Sequence, residues 1–463
     1  LMKILYGMLV ADEGRMVVGG NEVRFRSPSD AIDLGIGMVH QHFMLADQLT
    51  VLENVILGHE PTRSLGQIDF KKARAHLDAV SREYGLTVDP DELVETLSVG
   101  ERQRVEIVKV LYRGAKILIL DEPTAVLVPQ EVEDLFRNLR ELKSAGSTIL
   151  FIDHKLQEIL AIADTITVLR QGRTVATVKP ADVTASDLAE LMVGSELPKP
   201  EKSASTVTTT VALSVQGLTV RDDDDRPVVD NVSFEVRRGE VVGVAGVEGN
   251  GQAELVEALI GTRGVSAGTV TMKGENLASW DVRRRREAGM AYIPQDRHRE
   301  GLLLQAPLWE NTALGHQTRQ PFVKGIWFDR KGARERTEEV RRDFDVRTPN
   351  IEVNAHALSG GNQQKLIVGR EMASDPEVLI ASHPTRGIDV GAQAAVWEDL
   401  RQARAAGMAT VLVSADLEEL IGMADTILVM LRGKVVARLD PAKVTPRDIG
   451  SYMTGAKAGT EVT

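Results

Sequence analysis

Ile117-Leu118-Ile119-Leu120-Asp121-Glu122-Pro123-Thr124 is an apolar run that stops on two adjacent carboxylates. Four consecutive apolar residues without alternation fit a strand buried on both faces, as strands in parallel sheets are. The carboxyl end of such a strand is where open α/β sheets bind their ligands. Asp121 can serve a magnesium ion there, usually through water, because Mg²⁺ keeps much of its hydration shell and takes hard oxygen ligands. Glu122 is suited to polarise a water attacking a phosphoryl group. Taken alone, the run fits equally well a strand that ends in a solvated acidic turn.

The neighbourhood adds spacing. Leu97-Ser98-Val99-Gly100-Glu101-Arg102-Gln103-Arg104 begins 24 residues before Asp121. A Ser-x-Gly sequence opening a helix offers a hydroxyl, uncrowded backbone N–H groups and the positive helix end to a phosphate. It also suits a serine that merely caps a helix. His154 lies 33 residues after Asp121 and directly follows the apolar stretch Thr148-Ile149-Leu150-Phe151-Ile152, where it can bond a phosphate oxygen. These apolar stretches alternate with amphipathic ones such as residues 130–145, which predicts a layered α/β fold.

The chain also repeats itself. Leu1, Gly7, Gly14 and Gly20 match Leu255, Gly261, Gly268 and Gly274 at an offset of 254, as Gln41 matches Gln295. Leu97-Ser98-Val99-Gly100-Glu101 matches Leu358-Ser359-Gly360-Gly361-Asn362 at 261, and Gly194 matches Gly455 at the same offset. One net insertion of seven residues between the landmarks accounts for the change. A period this long means duplicated domains, since solenoid repeats are far shorter. The expected division is a first domain at 1–195, a linker at 196–210 rich in Pro, Ser, Thr and Lys, a second domain at 211–456 and a tail at 457–463.

The second half carries Gly246-Val247-Glu248-Gly249-Asn250-Gly251-Gln252-Ala253 after an apolar strand and before a helix, the context of a phosphate-binding loop. Its backbone can still offer N–H groups. Gln252 and Ala253, however, stand where a lysine and a Ser or Thr belong. Ser382-His383 replaces Asp121-Glu122, and Ala415 replaces His154. These losses at one site predict that this half does not hydrolyse nucleotide. In the first half the lysine position maps before Leu1, so the expectation is a fragment or a misplaced start, inactive as it stands.

Together, Gln41 after its strand, the Leu-Ser-Val-Gly-Glu turn, the Leu-Asp-Glu-Pro-Thr strand end and His154 resemble the ABC ATPase superfamily, over the whole chain and twice. The resemblance implies two tandem ABC-type P-loop NTPase domains, each a parallel-sheet core with a helical subdomain. It implies ATP and Mg²⁺ as cofactors, sandwiched between the Walker motifs of one lobe and the signature of the other. Glu122, His154 and Gln41 are then the expected catalytic residues, with Asp121 and Gln41 on the metal. The expected nucleotide-binding set is Ser98, Gly100, Gly246, Gly249, Asn250, Gly251, Gln252, Ser359, Gly360, Gly361 and Asn362.

An intact first lobe beside a degenerate second is similar to the sugar- and nucleoside-importer ATPases. Met38-Val39-His40-Gln41-His42-Phe43-Met44-Leu45, Gly249-Asn250-Gly251-Gln252 and Tyr292-Ile293-Pro294-Gln295-Asp296-Arg297-His298 look like the nucleoside branch, which works with a basic-membrane-protein-like lipoprotein receptor. His383-Pro384-Thr385-Arg386 departs slightly from it. The implied partners are two transmembrane permease subunits and, indirectly, an extracytoplasmic solute-binding lipoprotein. The implied location is the cytoplasmic face of the plasma membrane, where the protein would be peripheral. A soluble tandem ABC ATPase acting on ribosomes is the alternative, although such proteins usually keep both catalytic sets and a long charged linker.

Composition sets limits. A net charge of −12 argues against nucleic acid as a general partner. The absence of cysteine excludes disulfides, thiol catalysis and the cysteine-bound zinc of DNA-repair relatives, and fits the cytosol. No uncharged apolar run approaches the ~18–20 residues that span a bilayer. Of two charge runs, residues 283–286 read as a solvated basic helix face and residues 222–225 as an exposed acidic turn.

Overall fold

A computed structural model describes residues 1–40, 43–63, 66–124, 127, 129–153, 155–170, 172–193 and 206–457. Gln41, His154, Gly194, most of the expected linker and all of the tail after Lys457 lie outside the described residues. The chain divides into two compact units, Leu1–Leu191 and Met192–Thr463.

The first unit is built on a parallel sheet ordered Ile36–Val39, Ile117–Asp121, Thr148–Ile152, with Ile36 opposite Ile117 and Leu120 opposite Phe151. The unbroken apolar run at 117–120 follows from its central place. Side chains alternate across a strand, so Leu118 and Leu120 join the core beneath the helices, while Ile119 packs on the opposite face with Phe25, Ala31, Ile36 and Met38. All three are completely buried. An antiparallel hairpin, Ile166–Arg170 with Arg173–Val178, follows.

The second unit carries a six-stranded sheet. Its order is Met290–Ile293, Val378–Ser382, Ala409–Val413, Val241–Ala245, Thr426–Leu431, Lys434–Leu439. All strands are parallel except the last, which pairs antiparallel. An antiparallel sheet made chiefly of Val211–Arg221, Pro227–Arg237 and Ala267–Met272 packs its apolar residues into the same core. The first three parallel strands repeat those of the first unit in order and register, and the last two repeat its hairpin.

Helix ends repeat too. Met2–Leu5 runs to Gly7 (φ 77°) as Gln252–Ile260 runs to Gly261 (φ 90°), each glycine taking the left-handed turn that stops the helix. The seven-residue insertion is not a single event. The offset is 254 at Ile36–Val39, 257 at the helix Val51–Ile56 against Leu308–Ala313, 260 at Phe70–Glu83 against Arg330–Asp343, and 261 at Ile117–Asp121. Two loops in the helical region thus take up three residues each.

In both helical regions one buried asparagine ties the chain. Asn54 Oδ1 accepts from Ala46 N–H at 2.7 Å, and its Nδ2 donates to the carbonyls of Ala46, Leu49 and Thr50. Asn311 makes the same set with Leu303, Ala306 and Pro307. Every polar atom of the amide is satisfied, which is what permits its burial.

The basic run is only half a solvated face. Arg283 and Arg284 are exposed, but Arg285 is 5% exposed and donates to the carbonyls of Ala258 and Leu259 at 2.7 Å, capping the end of Gln252–Ile260. Arg286 reaches the fully buried Glu371 at 2.8 Å, which Arg370 also contacts. Burial alone pushes the Glu371 carboxyl up, yet the two guanidiniums hold it below its ordinary range. The acidic run is, as expected, a turn with Asp223, Asp224 and Asp225 exposed.

Candidate functional site

At the carboxyl end of Ile117–Asp121, Asp121 is half-buried and Glu122 turns away with φ 47°. Its backbone N–H donates to Ile152 O at 2.9 Å, pinning the turn to the next strand. A non-glycine residue at positive φ is uncommon and strained, so its persistence marks a constrained position. Burial, and then the charge of Glu122 beside it, raise the pKa of Asp121, while His40 and Lys3 oppose the shift. Two neighbouring carboxylates held this way gain from a cation.

The second unit keeps this backbone and changes the side chains. His383 also has φ 48° and donates its N–H to Val413 O at 2.7 Å. Its Nδ1 accepts from Ala415 N–H at 3.2 Å, and burial pushes its pKa down to about 4, so the ring is neutral at pH 7. Ser382 is buried at the strand end where Asp121 stands in the first unit.

The glycine-rich loop closes on itself. Gly249 (φ 88°) and Gly251 (φ 99°) take left-handed conformations, and a Cβ on Gly251 would lie 2.3 Å from Val228 O. Gln252 is buried, and its Nε2 donates back to Val247 O at 3.1 Å. That amide lies 2.0 Å from where a Cβ on Gly246 would be, so a side chain there would displace the end of Gln252. Asn250, within the loop, ties it to the strand turn opposite, its Oδ1 accepting from Arg432 N–H at 2.7 Å. Gln295, the counterpart of Gln41, reaches Glu248 of the loop at 3.4 Å.

The two signature turns differ in charge. Ser98 caps Val99–Tyr112 in a closed box: its hydroxyl donates to the Glu101 carboxylate at 2.7 Å, and its N–H donates to the same oxygen at 2.9 Å. These bonds lower the pKa of Glu101, so an anion already occupies this helix end. Ser359 caps Gly360–Met372 with Asn362 in the place of Glu101, its hydroxyl accepting from Asn362 Nδ2 at 2.9 Å, so the box carries no carboxylate of its own. A Cβ on Gly361 would lie 2.9 Å from the Ala392 Cβ, whereas one on Gly360 would meet, at 2.9 Å, only the flexible end of Arg297. Gly100 is similarly crowded by Glu131.

The structure therefore gathers Asp121 and Glu122 at one strand end, and Gly246, Gly249, Asn250, Gly251 and Gln252 in one loop. Ser98 and Ser359 begin separate helices. Among the described residues no cluster of three or more His, Cys, Asp or Glu could hold a metal alone, and no helix is long and apolar enough to cross a membrane. Sequence reasoning missed the Asn54 and Asn311 ties, although the repeated Glu-Asn pairs at 53–54 and 310–311 carry the signal.

Comparison with known proteins places this geometry. The family described as ABC transporter matches residues 1–125 and 229–386. The chain is 42% identical over 455 residues to the nucleoside import ATP-binding protein NupA of Lactococcus lactis subsp. cremoris, spanning 98% of this chain and 90% of that protein. It is 43% identical over 457 residues to the guanosine import ATP-binding protein NupO of Bacillus subtilis, spanning 98% and 89%. The ribose import ATP-binding protein RbsA 1 of Streptomyces avermitilis is 41% identical over 445 residues, spanning 96% and 84%.

Proposed function

The chain belongs to the ABC transporter family, and from that premise we propose that it is the ATP-hydrolysing subunit of an importer, energising uptake of nucleosides. One observation carries the energetic part of this reading. A repeated strand end presents Asp121-Glu122 in one unit and Ser382-His383 in the other, on the same backbone. Glu122 is the group that orients the attacking water in the first unit, with His154 and Gln41 completing its set. The second unit contributes structure and the signature turn at Ser359, and its own loop has only backbone N–H groups to offer a phosphate.

Magnesium fits the first strand end. Asp121 supplies one hard oxygen, and a single carboxylate with phosphate oxygens and water is a usual Mg²⁺ environment. When bound, the ion would offset the negative charge of the phosphates. Asp121 would hold it, with Gln41 the second candidate. The second unit does not fit: Ser382 has no carboxylate where Asp121 stands, and Ala253 has no hydroxyl at the loop.

The names of the similar proteins favour nucleoside cargo, with simple sugars as the second reading, since ribose and glucose import proteins are nearly as similar. Two permease subunits and an extracytoplasmic lipoprotein would read the solute, with this chain peripheral at the cytoplasmic face. Uptake of labelled guanosine, uridine and ribose should be measured in cells carrying and lacking the gene. Loss of guanosine and uridine uptake with ribose uptake intact is expected. Loss of ribose uptake alone would transfer the assignment to sugars, and intact uptake with ribosome co-sedimentation would overturn it.

A further inference from the structure

Thr124, two residues after Glu122, is completely buried. Its hydroxyl donates to Asp153 Oδ2 at 2.8 Å, and its carbonyl accepts from Lys155 Nζ at 3.1 Å. Lys155 is held in turn: its backbone N–H donates to Asp153 Oδ1 at 2.9 Å, and its ammonium lies 3.4 Å from Glu158 Oε1. Asp153 and Lys155 bracket His154 in sequence. The turn that follows one proposed catalytic residue is thus tied, by hydroxyl and by ammonium, to both neighbours of another.

The second unit provides an internal control. Thr385 occupies the equivalent place, but its hydroxyl donates to Glu419 at 2.9 Å. Glu419 also accepts from Ser414 Oγ and Trp397 Nε1. Ser414 stands for Asp153, and Asp416 stands for Lys155. Asp416 Oδ1 accepts from the N–H groups of Glu418 and Glu419, capping its own helix, so the ammonium tie across the loop is gone. The ionic tie is present in the unit that keeps Glu122 and His154, and absent in the unit that has His383 and Ala415.

We propose that Thr124, Asp153 and Lys155 are positioning residues that lock the Glu122 turn to the loop bearing His154, so that turnover in the first unit depends on the Thr124 hydroxyl and the Lys155 ammonium. This rests on the reading of Glu122 as the group that orients water. A hydroxyl donated to a carboxylate is a charge-assisted bond, shorter and stronger than a neutral one. Misplacement by about 1 Å can lower a rate roughly 100-fold without touching binding.

The test is steady-state ATP hydrolysis by the assembled transporter, with kcat and KM for ATP determined separately. Thr124→Val, nearly isosteric, and Lys155→Met, at a partly exposed side chain, should each lower kcat by about 10- to 100-fold with KM little changed. Thr124→Ser should restore most of the rate, and Thr385→Val should leave kcat unaltered. Wild-type kcat in both Thr124→Val and Lys155→Met, or an equal loss in Thr385→Val, would overturn the proposal. The underlying reading fails separately: if Glu122→Gln itself turns over normally, the assignment of the water-orienting group is wrong whatever Thr124 does.

Discussion

Two strand ends in this molecule share a backbone and differ in chemistry. Glu122 and His383 both sit near φ 47°, each donating its N–H to the neighbouring strand. One presents a carboxylate beside Asp121, and the other a neutral imidazole beside Ser382. The strained turn has outlived the side chain it serves in the first unit. What duplication preserved is the scaffold of sheet register, helix stops and asparagine ties. What diverged is the small set of side chains at its edge, where function resides.

The sharpest way to break this comparison concerns the signatures. The open turn at Ser359 lies in the unit with the stripped strand end, while the turn at Ser98 is closed by Glu101. If the working site draws on the open signature, Ser359→Arg in the assembled transporter should abolish ATP hydrolysis, and Ser98→Arg should be much milder. A lethal Ser98→Arg beside an active Ser359→Arg would reverse the assignment.

A smaller effect concerns the buried network behind the second unit's strand end. Burial lifts the Glu419 carboxyl to about 7, against an ordinary 4.5. The unfolded chain therefore releases this proton first, and stability is lost as pH rises from about 4.5 through 7. Glu419→Gln keeps an acceptor for Thr385 and Trp397 but carries no charge. It should raise the melting temperature at pH 8, a gain of about 1–3 kcal/mol, with the difference shrinking near pH 5. An equal effect at both pH values would show that Glu419 does not titrate in this window.

Much of this was legible in the residues because it depends on local pattern. The run at 117–120 reads as a central strand, and the offsets 254 and 261 give the duplication before any coordinates. Three things were hidden for physical reasons. Arg285 and Arg286 look like a solvated face because sequence shows charge but not which carbonyls and carboxylates wait across the fold. The closed cap at Ser98 needs side-chain geometry, since Ser98 and Glu101 at that spacing serve a phosphate site and a capping box alike. The Thr124–Asp153–Lys155 tie joins residues about thirty apart, a distance that only the parallel pairing of Ile117–Asp121 with Thr148–Ile152 closes.

The claim that one unit alone performs hydrolysis is tested most directly by the residual rate of Glu122→Gln in the assembled transporter, measured beside the wild type. Removing a group of this kind lowers a rate by about 10²- to 10⁴-fold, so turnover should fall to that level. A variant that keeps about half the wild-type rate would mean that the unit carrying Ser382-His383 hydrolyses ATP too, and would contradict the account.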